Sequence, residues 1–554
     1  MEFKELGKKV IYQIYPKSFY DSNNDGVGDL RGIIAKLDYI KQLNVDMIWF
    51  NPFFVSPQND NGYDIANYRQ VDPRFGTMAD LEEMIAKLKE IGVGVMFDMV
   101  LNHCSTDHEW FQKALAGDEY YQKFFYLRPG KDGGYPNNWQ SKFGGPAWSK
   151  FGDTDLYYLH LYDKTQADLD WHNPAVRKEL FEVVNFWRQK GVHGFRFDVI
   201  NVTGKDTVLV DSTNIEQEKR LYTDTPVVQD YLRELNAQSF GQDPEAITVG
   251  EMSSTTIPNS IAYTKPENHE LSMTFAFHHL KTDYMDGQKW TQTPFDFQAL
   301  KHYLLDWQEE IAQGGGWQAL FWNNHDQPWA LNRFGDPGQY RVKSAEMMAA
   351  TIHLMRGTPY IYMGEELGMV DPSYQSMAEY VDVEAQNAYQ ELVAGGRDPQ
   401  EAFAIVHSKA RDNSRVPMHW DASQYAGFSQ VKPWLMPTDQ AKINVHQELT
   451  SGEIFAFYQQ LIALRKQDEL VSNGQIHSIL RDHDQVLAYV RSLPERPDQL
   501  AVFSNFYGQE TTVVIPAELR KAGEVVVTNY GRVLTSLAEE LTLQPYETLA
   551  FRTQ

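Results

Sequence analysis

The feature that most constrains the fold is the run Gly191-Val192-His193-Gly194-Phe195-Arg196-Phe197-Asp198-Val199-Ile200-Asn201. It is apolar, yet it carries Arg196 and Asp198 two residues apart, so on a strand both side chains point to one face. Charges inside such a run cost stability unless they are paired or the strand ends at a site that uses them. Taken alone, the pair reads equally as a core ion pair and as part of a site. The same event recurs along the chain. Asp98 ends the run 93–97 and is followed by Asn102 and His103, Glu251 ends 247–250, and His325 and Asp326 follow 320–324. Four apolar runs that each end in acids or histidines are the pattern of an α/β barrel with its site at the C-terminal ends of its strands.

The rest of the chain supports that reading. Apolar runs at 10–19, 45–54, 93–100, 194–200, 247–252, 273–277, 319–322 and 360–363 give eight strands. Stretches of helical periodicity lie between them, at 33–43, 81–91, 175–190, 227–240, 297–311 and 344–355. The expected fold is a (β/α)8 TIM barrel over residues 1–103 and 172–473. The alternation breaks between 104 and 171, which is dense in Gly, Pro and aromatic residues and reads as a subdomain inserted after the third strand. From 474 to 554 short runs separated by turn residues read as a C-terminal antiparallel β-sandwich.

Charge narrows the function. A formal net charge of −25 argues against nucleic acid or an anionic membrane as partner, and means that an anionic substrate needs a local cluster of Lys or Arg. The single cysteine, Cys104, excludes an intramolecular disulfide, and no apolar run approaches the length of a membrane span. A cytoplasmic protein is expected, compatible with a monomer, the oligomeric state being left open. Thirteen Trp, 30 Tyr and 30 Phe fit a carbohydrate enzyme, because aromatic rings stack on the apolar faces of sugars. No feature calls for an organic cofactor.

Carboxylates at barrel-strand ends suit glycoside cleavage, which needs one nucleophile and one proton donor. His103 and His325, each beside an acid, leave metal-assisted hydrolysis open on spacing alone. The blocks Asp98…Asn102-His103, Gly194-Phe195-Arg196-Phe197-Asp198, Gly250-Glu251 and Asn324-His325-Asp326 resemble, in order, the conserved regions of the α-amylase family of glycoside hydrolases. The resemblance covers essentially the whole chain, including Gln166-Ala167-Asp168-Leu169-Asp170-Trp171 and Gly357-Thr358-Pro359-Tyr360.

By that resemblance Asp198 is the nucleophile, Glu251 the general acid/base and Asp326 the carboxylate that grips sugar hydroxyls. Arg196 is expected to keep Asp198 ionised, while Glu251, facing two other carboxylates, holds its proton. Asp60 and Tyr63 resemble the family's terminal-glucose clamp, with Tyr63 stacking on the ring and Asp60 pairing with Arg415, which implies exo action. His103 and His325 are implied as hydroxyl ligands. The loop Asp21-Ser22-Asn23-Asn24-Asp25-Gly26-Val27-Gly28-Asp29 resembles the calcium loop of related α-glucosidases. Asp21, Asn23, Asp25, Val27 and Asp29 are the implied ligands of one structural Ca2+, though the glutamate that closes an EF-hand is missing and Gly32 stands in its place.

Val199, directly after Asp198, resembles the branch acting on oligo-1,6-glucosides and its relatives. Within it, the stretch 278–290, the run Val249–Thr256 and Gly314-Gly315-Gly316-Trp317 resemble enzymes that hydrolyse trehalose 6-phosphate. The implied substrate is a phosphorylated disaccharide, split to glucose and glucose 6-phosphate, with Lys281 and Lys289 meeting the phosphate. An isomaltose-type glucosidase with a neutral acceptor is the alternative. Two departures bear on this: Trp329 stands where relatives commonly carry Arg, and Asp170 where they carry Asn.

Overall fold

The structure, a computed structural model, describes residues 3–554. Eight parallel strands form one sheet: β1 Ile11–Ile14, β2 Met47–Phe50, β3 Gly94–Met99, β4 Gly194–Phe197, β5 Ile247–Glu251, β6 Met273–Phe275, β7 Ala319–Leu320 and β8 Thr358–Tyr362. Their order is β6-β5-β4-β3-β2-β1-β8-β7, and a parallel bridge between Thr274 and Gln318 joins the two ends. That closed circuit is the expected barrel. Its strands are buried almost throughout, as parallel strands wrapped by helices must be.

The strands are shorter than the runs that announced them, for local reasons. The run 10–19 pairs only over Ile11–Ile14, because Pro16 opens a 3-10 turn and has no N–H to give a neighbour. The run 194–200 stops at Phe197, because Val199 adopts the left-handed region (φ +36°) and leads into a 3-10 turn over Ile200–Val202. For a β-branched residue that conformation costs on the order of 1–3 kcal/mol. The turn is pinned by Asn201, whose amide donates to the Ser253 carbonyl and accepts from the Ser253 N–H, both at 2.9 Å. The helix expected over 33–43 breaks at Lys36 into Leu30–Ala35 and Leu37–Leu43.

After β3 the chain leaves the barrel through a narrow neck, His103–Ser105 paired antiparallel with Gln166–Asp168. Between these lies a three-stranded antiparallel sheet of Leu127–Pro129, Leu156–Leu159 and Trp148–Lys150. Lys205, fully buried after β4, pairs with Asp168 at 2.9 Å and donates to Asn102 at 2.8 Å, locking the neck to the barrel. The insertion therefore meets the barrel at the strand ends that carry the candidate carboxylates.

The C-terminal strands are β9 Gln475–Ile479, β10 Val486–Ser492, β11 Gln499–Asn505, β12 Thr511–Val514, β13 Gly523–Thr528, β14 Glu540–Leu543 and β15 Thr548–Thr553. Five of them form an antiparallel sheet in the order β9-β10-β11-β15-β13, and β12 pairs with β14. The two sheets share a core that includes Val486, Phe503, Val513, Leu541 and Phe551. Buried Arg491 joins this unit to the barrel by donating to the backbone carbonyl of Leu354, while Arg465, on the preceding helix, ties barrel segments together through the carbonyls of Gly7, Met355 and Gly357. Among the described residues no helix is long and apolar enough to cross a membrane.

Candidate active site

Arg196, on β4, is the centre of the site. Its Nη1 donates to Asp98 at 2.8 Å and Asp198 at 2.6 Å, and its Nη2 meets Glu251 at 2.6 Å. Strand register explains the convergence: Arg196 lies opposite Asp98 of β3 and Val249 of β5, which puts Asp198 and Glu251 together one step further along. The guanidinium, almost inaccessible to solvent, also lies over the Trp49 ring at 5.0 Å. Asp98 is held from below by the Tyr63 hydroxyl (2.7 Å) and Trp49 Nε1 (3.2 Å), so it is a support of the arginine and does not line the pocket.

The electrostatics differ from the expectation in one respect. Arg196 does not single out Asp198, since it grips Glu251 equally closely. Burial outweighs the cation and raises both carboxyls, Asp198 to about 7 and Glu251 to about 8. The order is nevertheless as expected, because Glu251 faces Asp198 and Asp326 as like charges. Glu251 Oε2 is occupied by Arg196 and by the Val199 N–H (3.2 Å), which leaves Oε1 as the oxygen to carry a proton. Asp198 Oδ1 is likewise held by Arg196, and the Asp198 and Glu251 carboxyls share a hydrogen bond.

Asp326 is the opposite case. Burial opposes its ionisation, but His325, Arg411 and Arg415 more than offset it and hold the carboxyl well below the usual range. Arg415 Nη2 lies 2.9 Å and Arg411 Nη1 3.3 Å from its Oδ1. His325 Nε2 lies 3.2 Å from Oδ2, and the Gln13 amide donates to His325 Nδ1 at 3.0 Å, which fixes the tautomer. The His325 ring is fully buried and stacks flat on Tyr63, centroids 5.1 Å apart.

The clamp requires a correction. Asp60 does not pair with Arg415; its partner is Arg411, at 3.2 Å. The two arginines sit one helical turn apart around Asp412–Arg415, so they share a face but not a depth. Arg415 is buried beneath the site and donates to the His325 carbonyl at 2.7 Å, whereas Arg411 reaches the pocket. Arg411 also binds Asp382 and lies 3.3 Å from Glu384. Burial, against the pull of Arg411, raises Asp60 to about 7. Gln166, from the insertion neck, donates to Asp60 Oδ2 at 2.9 Å. His103 lies 3.3 Å from the same amide, and burial lowers it to about 4, so its ring is neutral.

Asp60, Tyr63, His103, Asp198, Glu251 and Asp326 line one pocket of about 270 Å³. Lys281 and Lys289 line it too, so both expected lysines reach the site. Lys289, however, is paired with Glu384 at 2.7 Å. Lys142, from the insertion, lines the pocket as well, and sequence reasoning missed it. It sits in a stretch without periodicity, and its only signal was a cation between aromatics in an acidic chain. Arg411, Asp382 and Glu384 were also missed; for Arg411 the charge density of 409–415 was the available clue. The two departures lie elsewhere. Trp329 is buried against Tyr362, with its backbone N–H donating to Asp371, and Asp170 accepts from the His172 backbone N–H, so neither lines the pocket.

The 21–29 loop is closed by its own hydrogen bonds. Asp21, nearly inaccessible, accepts the N–H groups of Asn23, Asn24 and Gly26, and Asp29 caps helix Leu30–Ala35 by accepting from Gly32. Gly26 (φ +90°) presses on the Lys432 carbonyl, where a Cβ would sit at 2.6 Å. Among the described residues, no three His, Cys, Asp or Glu side chains converge on one metal position.

Comparison with known proteins agrees with this geometry. The family model for the alpha amylase catalytic domain matches residues 13–474. A trehalose-6-phosphate hydrolase of Bacillus subtilis (strain 168) is 45% identical over 552 residues, covering 98% of this chain and 97% of the relative. An oligo-1,6-glucosidase of Parageobacillus thermoglucosidasius is 43% identical over 553 residues, 98% of each chain. The crystal structure of Bacillus licheniformis trehalose-6-phosphate hydrolase superimposes with a TM-score of 0.93 at 46% identity, over 99% of each chain. With the barrel, the strand-end carboxylates and matches along the full length in agreement, the chain belongs to the α-amylase family of glycoside hydrolases.

Proposed function

We propose that the protein is a retaining, exo-acting α-glucosidase that hydrolyses α,α-trehalose 6-phosphate to glucose and glucose 6-phosphate. The observation that carries this reading is a single pocket walled by Asp60 and Arg411 and lined by Asp198, Glu251 and Asp326, with Lys142, Lys281 and Lys289 also on its surface. The unphosphorylated glucose goes to the Asp60 end, where Tyr63 stacks on the ring. The phosphate, entering a protein of net charge −25, goes to the lysines.

Asp198 Oδ2 attacks the anomeric carbon while Glu251 gives its proton to the glycosidic oxygen, and the leaving glucose 6-phosphate departs neutral at that oxygen. Glu251, now ionised, deprotonates a water that cleaves the glycosyl ester with net retention. Asp326, kept ionised by Arg411 and Arg415, binds hydroxyls most strongly as positive charge develops on the ring. One carboxyl must be ionised and the other protonated. The kcat/KM profile is therefore expected to be a bell, lost as pH falls below about 7 with protonation of Asp198 and lost above about 8 with ionisation of Glu251. A profile flat through both values contradicts the assignment.

The test of substrate is a comparison of kcat/KM for trehalose 6-phosphate and isomaltose, with the anomer of the first glucose released read by NMR. A preference for the phosphorylated sugar and release of α-glucose are expected. A preference for isomaltose returns the protein to the oligo-1,6-glucosidases, a reading that Val199 and the 43% identical relative also suit. A phosphorylated disaccharide is confined to the cell interior, so this reading carries a cytoplasmic site of action with it.

We also propose one structural Ca2+ in the 21–29 loop. An all-oxygen donor set of Asp21, Asn23, Asp25, the Val27 carbonyl and Asp29 suits a hard cation. Added Ca2+ is expected to raise Tm by several degrees and EDTA to remove the gain, with Asp25→Ala, at an exposed loop position, abolishing the response. No shift in the parent protein removes calcium from the account.

A further inference from the structure

The three lysines on the pocket are not equivalent. Lys289 is already engaged: its Nζ donates to Glu384 Oε2 at 2.7 Å, and Glu384 in turn lies 3.3 Å from Arg411 Nε. A phosphate there would have to displace a carboxylate and approach Glu384 itself. Lys281, exposed at the pocket, has no hydrogen-bonding partner for its ammonium among the described residues. Among the described residues Lys142 has no carboxylate partner either, and its Nζ donates only to the Ser253 hydroxyl, at 2.9 Å, two residues beyond Glu251. It lies 5.4 Å from the Tyr162 ring centroid and 5.5 Å from that of Tyr222, and cation–π attraction holds it without neutralising it.

Lys142 is also placed rigidly, although it belongs to an insertion. It lies on a tight hairpin closed by the bridge between Gln140 and Pro146 and by the Ser141 N–H donating to Gly145 at 2.8 Å. The Ser141 hydroxyl donates to the Tyr162 carbonyl at 2.7 Å, and the Lys142 N–H to Leu161 at 2.8 Å. The barrel side holds the same hairpin: Asn387 donates to the Phe143 carbonyl at 3.0 Å, and Arg411 lies over the Phe143 ring at 5.0 Å. Adjacent residues of one loop thus reach both ends of the pocket, Phe143 at the clamp arginine and Lys142 at the Ser253 turn. Burial and the proximity of Lys281 push Lys142 down to about 8, which leaves it mostly protonated at neutral pH and favours an incoming dianion.

Resting on the substrate reading above, we propose that Lys142 and Lys281, with the Ser253 hydroxyl, form the phosphate-binding group of the acceptor side, and that Lys289 serves to position Glu384 and Arg411. The insertion, through Lys142, then sets specificity for the phosphorylated leaving sugar, while the barrel supplies the chemistry.

The test measures kcat/KM for trehalose 6-phosphate relative to that for p-nitrophenyl α-glucoside in the parent protein and in Lys142→Ala, Lys142→Arg and Lys289→Ala. Loss of one charge-assisted contact is expected to lower that ratio in Lys142→Ala by roughly tenfold to a hundredfold, mainly through KM, with Lys142→Arg recovering part of it. Competitive inhibition by glucose 6-phosphate should weaken in parallel. Lys289→Ala should lower kcat for both substrates without changing their ratio. A ratio within threefold of the parent in Lys142→Ala, or a larger drop in ratio for Lys289→Ala, overturns the proposal. A parent protein that does not favour trehalose 6-phosphate over unphosphorylated trehalose overturns the substrate reading instead, so the two failures are distinct.

Discussion

Replacing Asp198 by alanine is expected to lower kcat/KM by about 10⁴-fold or more, the loss usual when a covalent nucleophile is removed. The fold should survive. Asp198 is one of three carboxylates gathered on a single guanidinium, and its raised value shows that the ionised form is disfavoured where it stands. Removing it relieves repulsion with Glu251 and Asp98, so Tm should stay level or rise, the usual exchange of activity for stability at a charged site. Two further readings separate a nucleophile from a residue that only shapes the pocket. Azide, small and anionic, should enter the space left by the carboxylate and restore turnover of an activated α-glucoside, giving the β-glucosyl azide, because one displacement inverts where two retain. The alkaline limb of the pH profile should also move down, since Glu251 loses its nearest like charge. Turnover of Asp198→Ala within a few-fold of the parent would remove Asp198 from the mechanism.

How much of this was legible in the chain depends on what kind of signal each residue leaves. The barrel was readable because eight apolar runs alternate with helical periodicity, and Asp98, Asp198 and Glu251 were readable because a charge at the end of such a run stands out. Strand ends were not, because they are set by turns such as the left-handed Val199, which apolar character does not register. The clamp shows a different limit. Arg411 and Arg415 are identical in type and four residues apart, and only their depth beneath the pocket decides which one meets Asp60. Lys142 was out of reach for a third reason: it belongs to an irregular segment brought over the barrel by the neck at His103–Ser105, and nothing local in sequence places it next to Ser253.

Arg196 is where stability and chemistry meet, and its removal is the second large effect expected. Arg196→Met keeps much of the side-chain volume but leaves Asp98, Asp198 and Glu251 in one buried cluster without the cation that holds them. Breaking a buried ion pair by deleting one partner costs on the order of 3–5 kcal/mol, chiefly because charge is left behind uncompensated. The sign with pH follows. All three carboxyls already lie above their ordinary values, Asp98 at about 6, Asp198 at about 7 and Glu251 at about 8, and without Arg196 they rise further. The folded variant then binds more protons than the unfolded chain through this range, so its stability falls as pH rises. The gap in Tm between variant and parent should be small in mild acid, where the cluster is protonated in both, and widen towards neutral and alkaline pH. Activity should fall by at least about 10³-fold at neutral pH, because Asp198 is no longer ionised when the sugar arrives. Arg196→Lys should lie between: its charge remains, but a compact ammonium cannot reach all three carboxylates as the planar fork does. Thermal unfolding of the three proteins across pH tests this directly, and equal Tm values at neutral pH would mean that Arg196 does not hold the cluster together.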